Sequence, residues 1–281
     1  MMEISPKNSA ILASHGTDNP IGAGLIAELV RAVAQSLPEV NVVESFVDVQ
    51  QPQVPEVLGT LVAETPGQKT TIVPLLLSTG YHVRQDITDA VVAVSDEAFA
   101  ATGSKPEIAV TPALGPSSEI IDLLYLRLRQ AGWTPDDVAV LVVAGSSDAA
   151  AVEECRLVHA ILQDAIQSTY PQAQVELAFL SAVEPKLKDL VPKLKFQNPR
   201  KRVVVANYLL APGFFNDLAN RAGAHLVADP LLKLGEPPAQ QLIDVILRRI
   251  SEAAAPEGTL GCLKTGGDWS CAAGCGVPCR S

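Results

Sequence analysis

"KTTIVPLLLSTGYHVRQDITDAVVAVSDEAFAAT", residues 69–102, changes its periodicity part-way along. The first part, 69–77, is a short apolar run rich in β-branched residues, which reads as a strand buried on both faces. A loop containing Gly80 follows, and 82–102 has the spacing of a helix. Strand, tight loop and helix form the repeating unit of a parallel α/β sheet. The unit recurs on either side. "SAILASH" (9–15) reads as a strand before a helix at 22–37, and "NVVESFVDV" (41–49) as a strand before a helix at 54–65 that begins near Pro55. "EIAVTPALG" (107–115) reads as a strand before a helix at 117–132, with Ser117 or Ser118 as its cap. Such alternation implies right-handed crossovers and a parallel sheet, whose ligands bind beyond the carboxyl ends of the strands.

Composition agrees. The chain has 281 residues, 48% of them hydrophobic and 4% aromatic, so its cores are expected to be Val, Leu, Ile and Ala. A net charge of −10 argues against nucleic acid and anionic membrane surfaces as partners. An acidic substrate would need local basic residues. No apolar run approaches the ~20 residues of a membrane span, and "MMEISPKNSA" lacks a signal-peptide core. A cytoplasmic protein is expected.

The second half repeats the first. "DVAVLVVAGSSD" (137–148) matches "SAILASHGTD", with Gly145 over Gly16 at an offset of 129. "VELAFLSAVEPKLKDLV" (175–191) matches 42–58, and "VVVANYLLAPGFFNDL" (203–218) matches 70–85. Phe179 over Phe46, Pro185 over Pro52 and Gly213 over Gly80 share an offset of 133. Residues 233–249 then echo 113–128. The expected architecture is α/β: two tandem, doubly wound parallel-sheet domains facing a cleft, at 1–132 and 133–250, and a Cys-rich tail at 251–281.

Of four histidines, His15 and His82 fall at strand ends. The second copy has Ala144 and Phe215 in their places. A histidine at a strand end often only caps a turn. A pair absent from the sister copy points instead to one active site, borne by the first copy and walled by the second. His159, in a helical stretch, and His225, at the start of a strand, read as structural. Cys155 reads as a buried helix residue.

"SHGT" (14–17) and "PLLLSTGYHVRQD" (74–86) resemble the motifs of the sirohydrochlorin chelatases, the class II cobalto- and ferrochelatases. The likeness covers about residues 8–250; Thr17 replaces the usual Ser, and Leu76 a common Phe. The resemblance implies a lyase that inserts Fe²⁺ or Co²⁺ into sirohydrochlorin in sirohaem or cobalamin biosynthesis. It implies His15 and His82 as metal-binding and catalytic residues. Imidazole suits both tasks, since it ligates these metals and titrates near neutrality. Asp86, four residues after His82, would orient the imidazole or take a proton; as a first-turn acid it would equally complement the helix dipole. A related branch uses a second-strand acid, for which Asp48 is favoured over Glu44 as nearer the carboxyl end. Ser14, Gly16, Thr17, Ser78, Thr79, Gly80 and Tyr81 are the expected macrocycle contacts, and Arg84 the expected partner of its carboxylates, with Arg221 and Lys233 as further candidates. A metal donor or an upstream enzyme is an expected partner. The alternative is a carrier of metal or tetrapyrrole without turnover.

Cys262, Cys271, Cys275 and Cys279 crowd the last twenty residues with spacing C-x8-C-x3-C-x3-C. Four thiolates suit an iron–sulfur cluster or a zinc site, although the spacing matches no common motif of either. An iron–sulfur cluster is the preferred expectation.

Overall fold

The computed structural model describes residues 8–78 and 80–254, with 81–83 by backbone only. The four tail cysteines and Thr79 lie outside the described residues. The first copy comprises β1 (Ser9–Ser14), α1 (Pro20–Ser36), β2 (Asn41–Phe46), α2 (Val54–Glu64), β3 (Thr70–Pro74), α3 (Tyr81–Thr102), β4 (Ile108–Val110) and α4 (Ser118–Gln130). The second repeats it: β5 (Val138–Val143), α5 (Ala149–Thr169), β6 (Gln174–Phe179), α6 (Leu187–Gln197), β7 (Val203–Asn207), α7 (Phe214–Asn220), β8 (Leu226–Val227) and α8 (Gln240–Ala254).

All strand pairs are parallel, in the orders β2-β1-β3-β4 and β6-β5-β7-β8. The duplication extends to single hydrogen bonds. Phe46 N donates to Pro52 O at 3.0 Å, and Phe179 N to Pro185 O at 2.9 Å. Asp48 N donates to His15 O at 3.2 Å, and Ser181 N to Ala144 O at 2.9 Å. Helix starts follow their caps: the Asn19 side chain accepts from Ile21 N and Gly22 N, and Ser117 Oγ from Ile120 N. β3 ends at Pro74, short of its apolar run, although Leu75 N and Leu76 O still bond to neighbouring chain before the turn into the loop that precedes α3.

The layers arise from apolar faces. β5 is buried at all six positions, as expected of a strand covered on both sides. One core packs α2 and α3 on the first sheet, and another packs α6 and α7 on the second. The largest core lies between the sheets and includes residues of α1, α4, α5 and α8. Here the terminal helices cross: α4 packs on β7 of the second sheet, and α8 on β3 of the first. The sheets divide between α4 and β5, while the helices tie the copies together. α8 achieves this with Leu242, Ile243, Val245, Ile246 and Ile250 buried along one face.

The connection between the copies is pinned twice. Trp133, 2% exposed, meets Tyr125 and Tyr170 edge-on with ring centres 6.2 Å away. Asp137 takes both Arg202 Nε (2.9 Å) and Arg202 Nη2 (2.7 Å), and accepts from Thr134 N and Oγ1. Burial pushes the Asp137 carboxyl up, but the Arg202 and Thr134 donors outweigh it and hold it below its usual 3.8. A depressed folded-state value stabilises the fold above pH 3.8, and the contribution is lost as pH falls through the folded value. Asp137→Asn is therefore expected to lose about 1–2 kcal/mol at neutral pH, kept small because Arg202 is partly solvated. Thermal melts at a series of pH values should show the gap to wild type closing only in acid.

Candidate functional site

The site begins where β1 and β3 end side by side. Leu75 N donates to Ala13 O at 2.8 Å, so the chain leaving β3 stays against the end of β1. His15 is exposed, one residue past β1. Gly16 follows with φ +90°, a conformation glycine adopts without strain. A Cβ there would also stand 3.1 Å from Gln50 N and from Val49 Cβ. Thr17 N donates to Gln50 Oε1 at 2.9 Å, and Thr17 Oγ1 accepts from Asn19 N. The His15 turn is thus sewn to the loop after β2, which carries Asp48. The Asp48 backbone bonds to His15 itself, and its side chain is exposed. Glu44 lies inside β2, paired in register with Leu12 and away from the strand end. Burial raises its carboxyl, with Arg31 pulling the other way.

His82 is the second residue of α3. Asp86, one turn later, is exposed. The loop that delivers His82 is fastened to the second copy along its length. Tyr208 Oη donates to Leu77 O at 3.1 Å. Ser78 hydrogen-bonds the thiol of Cys155, which is buried in α5. Burial pushes that thiol up to about 11, with the Ser78 bond acting against it. Gly80 lies beside Ser146, and Arg84 Nη2 pairs with Asp148 Oδ2 at 3.0 Å. The reciprocal joint is as close: Gly22 packs on Pro212 O and Gly213 on Thr17. A cavity of about 550 Å³ adjoins the first joint, lined among others by Ser146, Ser147, Val152, Glu153 and Arg156.

Some expected contacts have other partners. Ser14 is buried at 2%, so its hydroxyl faces the interior. Ser78 is taken by Cys155 and Arg84 by Asp148. Lys233 pairs with Asp229 and Glu236. Gly16, Thr17 and Gly80 shape the site's edges, and Arg221 is exposed at the end of α7. Cys155 is buried as expected. His159 Nε2 lies 3.1 Å from Val175 O, and His225 Nδ1 accepts from Val203 N at 2.8 Å, so both are structural. Among the described residues no cluster of three or more His, Cys, Asp or Glu is placed to hold a metal. The sequence reading missed Tyr208, Ser146 and Asp148, which come from the second copy. Asp148 had one local signal, as an acid just before a helix.

Asp148 does two tasks, capping α5 through Ala150 N (2.9 Å) and holding Arg84. Asn19 caps α1 at the matching place. Asp148→Asn should keep the cap and lose the ion pair. About 0.5–1 kcal/mol of stability is the expected loss, since the pair is partly solvated, and the loss should shrink in high salt. Denaturant melts at two salt concentrations check this.

Residues 9–131 and 138–225 match the CbiX family. The chain belongs to the CbiX family. Two curated relatives are sirohydrochlorin ferrochelatases. That of Bacillus subtilis is 25% identical over 170 residues, covering 60% of this chain and 61% of the relative. That of Priestia megaterium is 24% identical over 214 residues, covering 75% and 76%. The match thus spans about three fifths of the first relative and three quarters of the second. SirB from B. subtilis with Fe³⁺ superposes with a TM-score of 0.72 at 20% identity, covering 89% of this chain and 96% of SirB. The sirohydrochlorin chelatase SirB from B. subtilis subspecies spizizenii in complex with cobalt gives 0.65 at 18% identity, covering 90% and 98%. This CbiX chain therefore has the chelatase fold, as the motifs at 14–17 and 74–86 led one to expect. Among its described residues no helix is long and apolar enough to cross a membrane.

Proposed function

We propose that this CbiX protein inserts a divalent metal, Fe²⁺ or Co²⁺, into sirohydrochlorin. The observation that carries the reading is the asymmetry of the copies. Both bring two loops to the carboxyl edge of a sheet, and only the first bears histidines there, His15 and His82, against Ala144 and Phe215. In the reaction the metal exchanges water for four ring nitrogens, and two pyrrole N–H protons leave. His15 and His82 bind the metal through neutral imidazole and present it to one face of the ring. As the metal passes to the ring nitrogens, an imidazole freed from it accepts one pyrrole proton, and exposed Asp48 or Asp86 takes the other and relays it to water. Arg84, paired with Asp148 beside the His82 loop, and Arg156, paired with Glu153 in the adjoining cavity, are the basic side chains that would exchange these partners for the substrate's carboxylates. A free, buried Cys155 suits a reducing cytoplasm. The four tail cysteines form a separate proposed thiolate site for an iron–sulfur cluster, checked by iron and acid-labile sulfide analysis of purified protein.

The test is anaerobic incubation of the full chain with sirohydrochlorin and either Fe²⁺ or Co²⁺, followed by absorbance. Turnover well above the spontaneous rate is the expected result. Binding of the macrocycle without turnover would overturn the enzyme reading in favour of a carrier.

A further inference from the structure

Where the first copy carries a tyrosine and a histidine, the second carries two phenylalanines. Phe214 and Phe215 occupy the positions that Tyr81 and His82 hold in the first copy. They open α7 with ring centres 5.5 Å apart at 66°, an edge-to-face pair. Phe215 is half-buried, and Phe214 is 70% exposed. A lone exposed phenylalanine means little, and Phe196, 88% exposed on α6, is one. Phe214 differs in its company and its place. It follows the loop 209–213 at the carboxyl edge of β7, and that loop is the part of the second copy seated on the His15 turn. Gly213 meets Thr17, and Pro212 meets Gly22. An exposed ring, braced by a second ring, therefore stands one residue from a contact with the "SHGT" turn.

We propose that Phe214, held by Phe215, is a stacking contact for the flat macrocycle. The second copy then supplies recognition of the ring, while the first supplies the metal ligands. The proposal rests on the function given above. A tetrapyrrole offers a broad π-face, and a ring already ordered by its neighbour loses little rotamer freedom on contact. The same loop would fix the distance between the stacked ring and His15, because its seat on Thr17 and Gly22 is backbone-close.

The experiment titrates sirohydrochlorin without metal, by absorbance, into wild type, Phe214→Ala and Phe214→Trp. Steady-state Co²⁺ insertion and calorimetric Co²⁺ binding without macrocycle accompany it. Phe214→Ala is expected to raise both Kd and KM for sirohydrochlorin about ten-fold. Co²⁺ affinity and melting temperature should stay at the wild-type values, since Phe214 is exposed and has no metal-ligating atom. Phe214→Trp, which keeps an aromatic face, should restore binding. Unchanged Kd and KM in Phe214→Ala, with wild type turning over, would overturn the stacking contact alone, as would failure of Trp to restore a weakened Kd. Wild type that neither binds sirohydrochlorin nor inserts metal would instead overturn the function on which the proposal rests.

Discussion

His15→Ala and His82→Ala are each expected to lower metal insertion by about 10²–10⁴-fold, down to the spontaneous rate. The loss should fall on kcat, with sirohydrochlorin binding retained, because the macrocycle's area is held by other groups. Co²⁺ titration of the apo-protein should show weakened metal binding in both variants. Neither change should reduce stability much. His15 is exposed on a turn whose backbone is held by Gln50 and Asp48, so removing the imidazole leaves the scaffold intact. Melting curves matching wild type within a few degrees, together with lost activity, are the expected pair of observations. Activity surviving in either variant would remove that histidine from the mechanism.

Arg127→Ala is expected to be the most destabilising of the changes considered. Arg127 is 2% exposed. Its Nε and Nη2 donate to Leu231 O at 3.3 and 2.9 Å, and its Nη1 reaches Gln130 Oε1 at 2.8 Å and Glu236 Oε2 at 2.5 Å. One side chain of α4 thus satisfies the loop after β8, before α8 turns back to the first sheet. The Arg127 bond and the paired Lys233 hold the Glu236 carboxyl below its usual range. Truncation leaves the Leu231 carbonyl without that donor and opens a void in a packed interior. About 3 kcal/mol is the expected loss, at the lower end for a broken buried pair because Glu236 can turn to water. For a chain of this size that is a fall in Tm of roughly 6–12 °C. Thermal unfolding of the purified variant checks it, and a shift within 2 °C or so would show that the network contributes little.

Much of the fold was legible in the sequence. The nine-residue run 69–77 and its counterparts encode burial on both faces, and the helical spacing after each encodes a single apolar face. Those are local properties, set by solvent exclusion acting on neighbours in the chain. The repeat at offsets 129 and 133 was equally visible, down to Pro52 and Pro185. The histidine pair stood out because one copy has it and the other does not. Contacts of individual polar residues were less legible. Arg84 looked like a free cation for substrate carboxylates, and Ser78 like a donor to the ring. Both turned out to be engaged by α5, 70 or so residues away in sequence, and no local pattern records that.

The sequence by itself determined two parallel α/β sheets, their tandem order, and the two strand ends that carry His15 and His82. Periodicity and turn chemistry suffice for that, because each depends on a few residues close together. Only the tertiary structure decided how the copies meet. α4 and α8 exchange sheets because each has an apolar face that one central core can bury, and burying both in the shared core removes more surface from water than two separate ones. That exchange brings Tyr208, Cys155, Ser146 and Asp148 under the loop of His82, and Pro212 and Gly213 against the turn of His15. The second copy is thereby the seat on which both histidine loops rest.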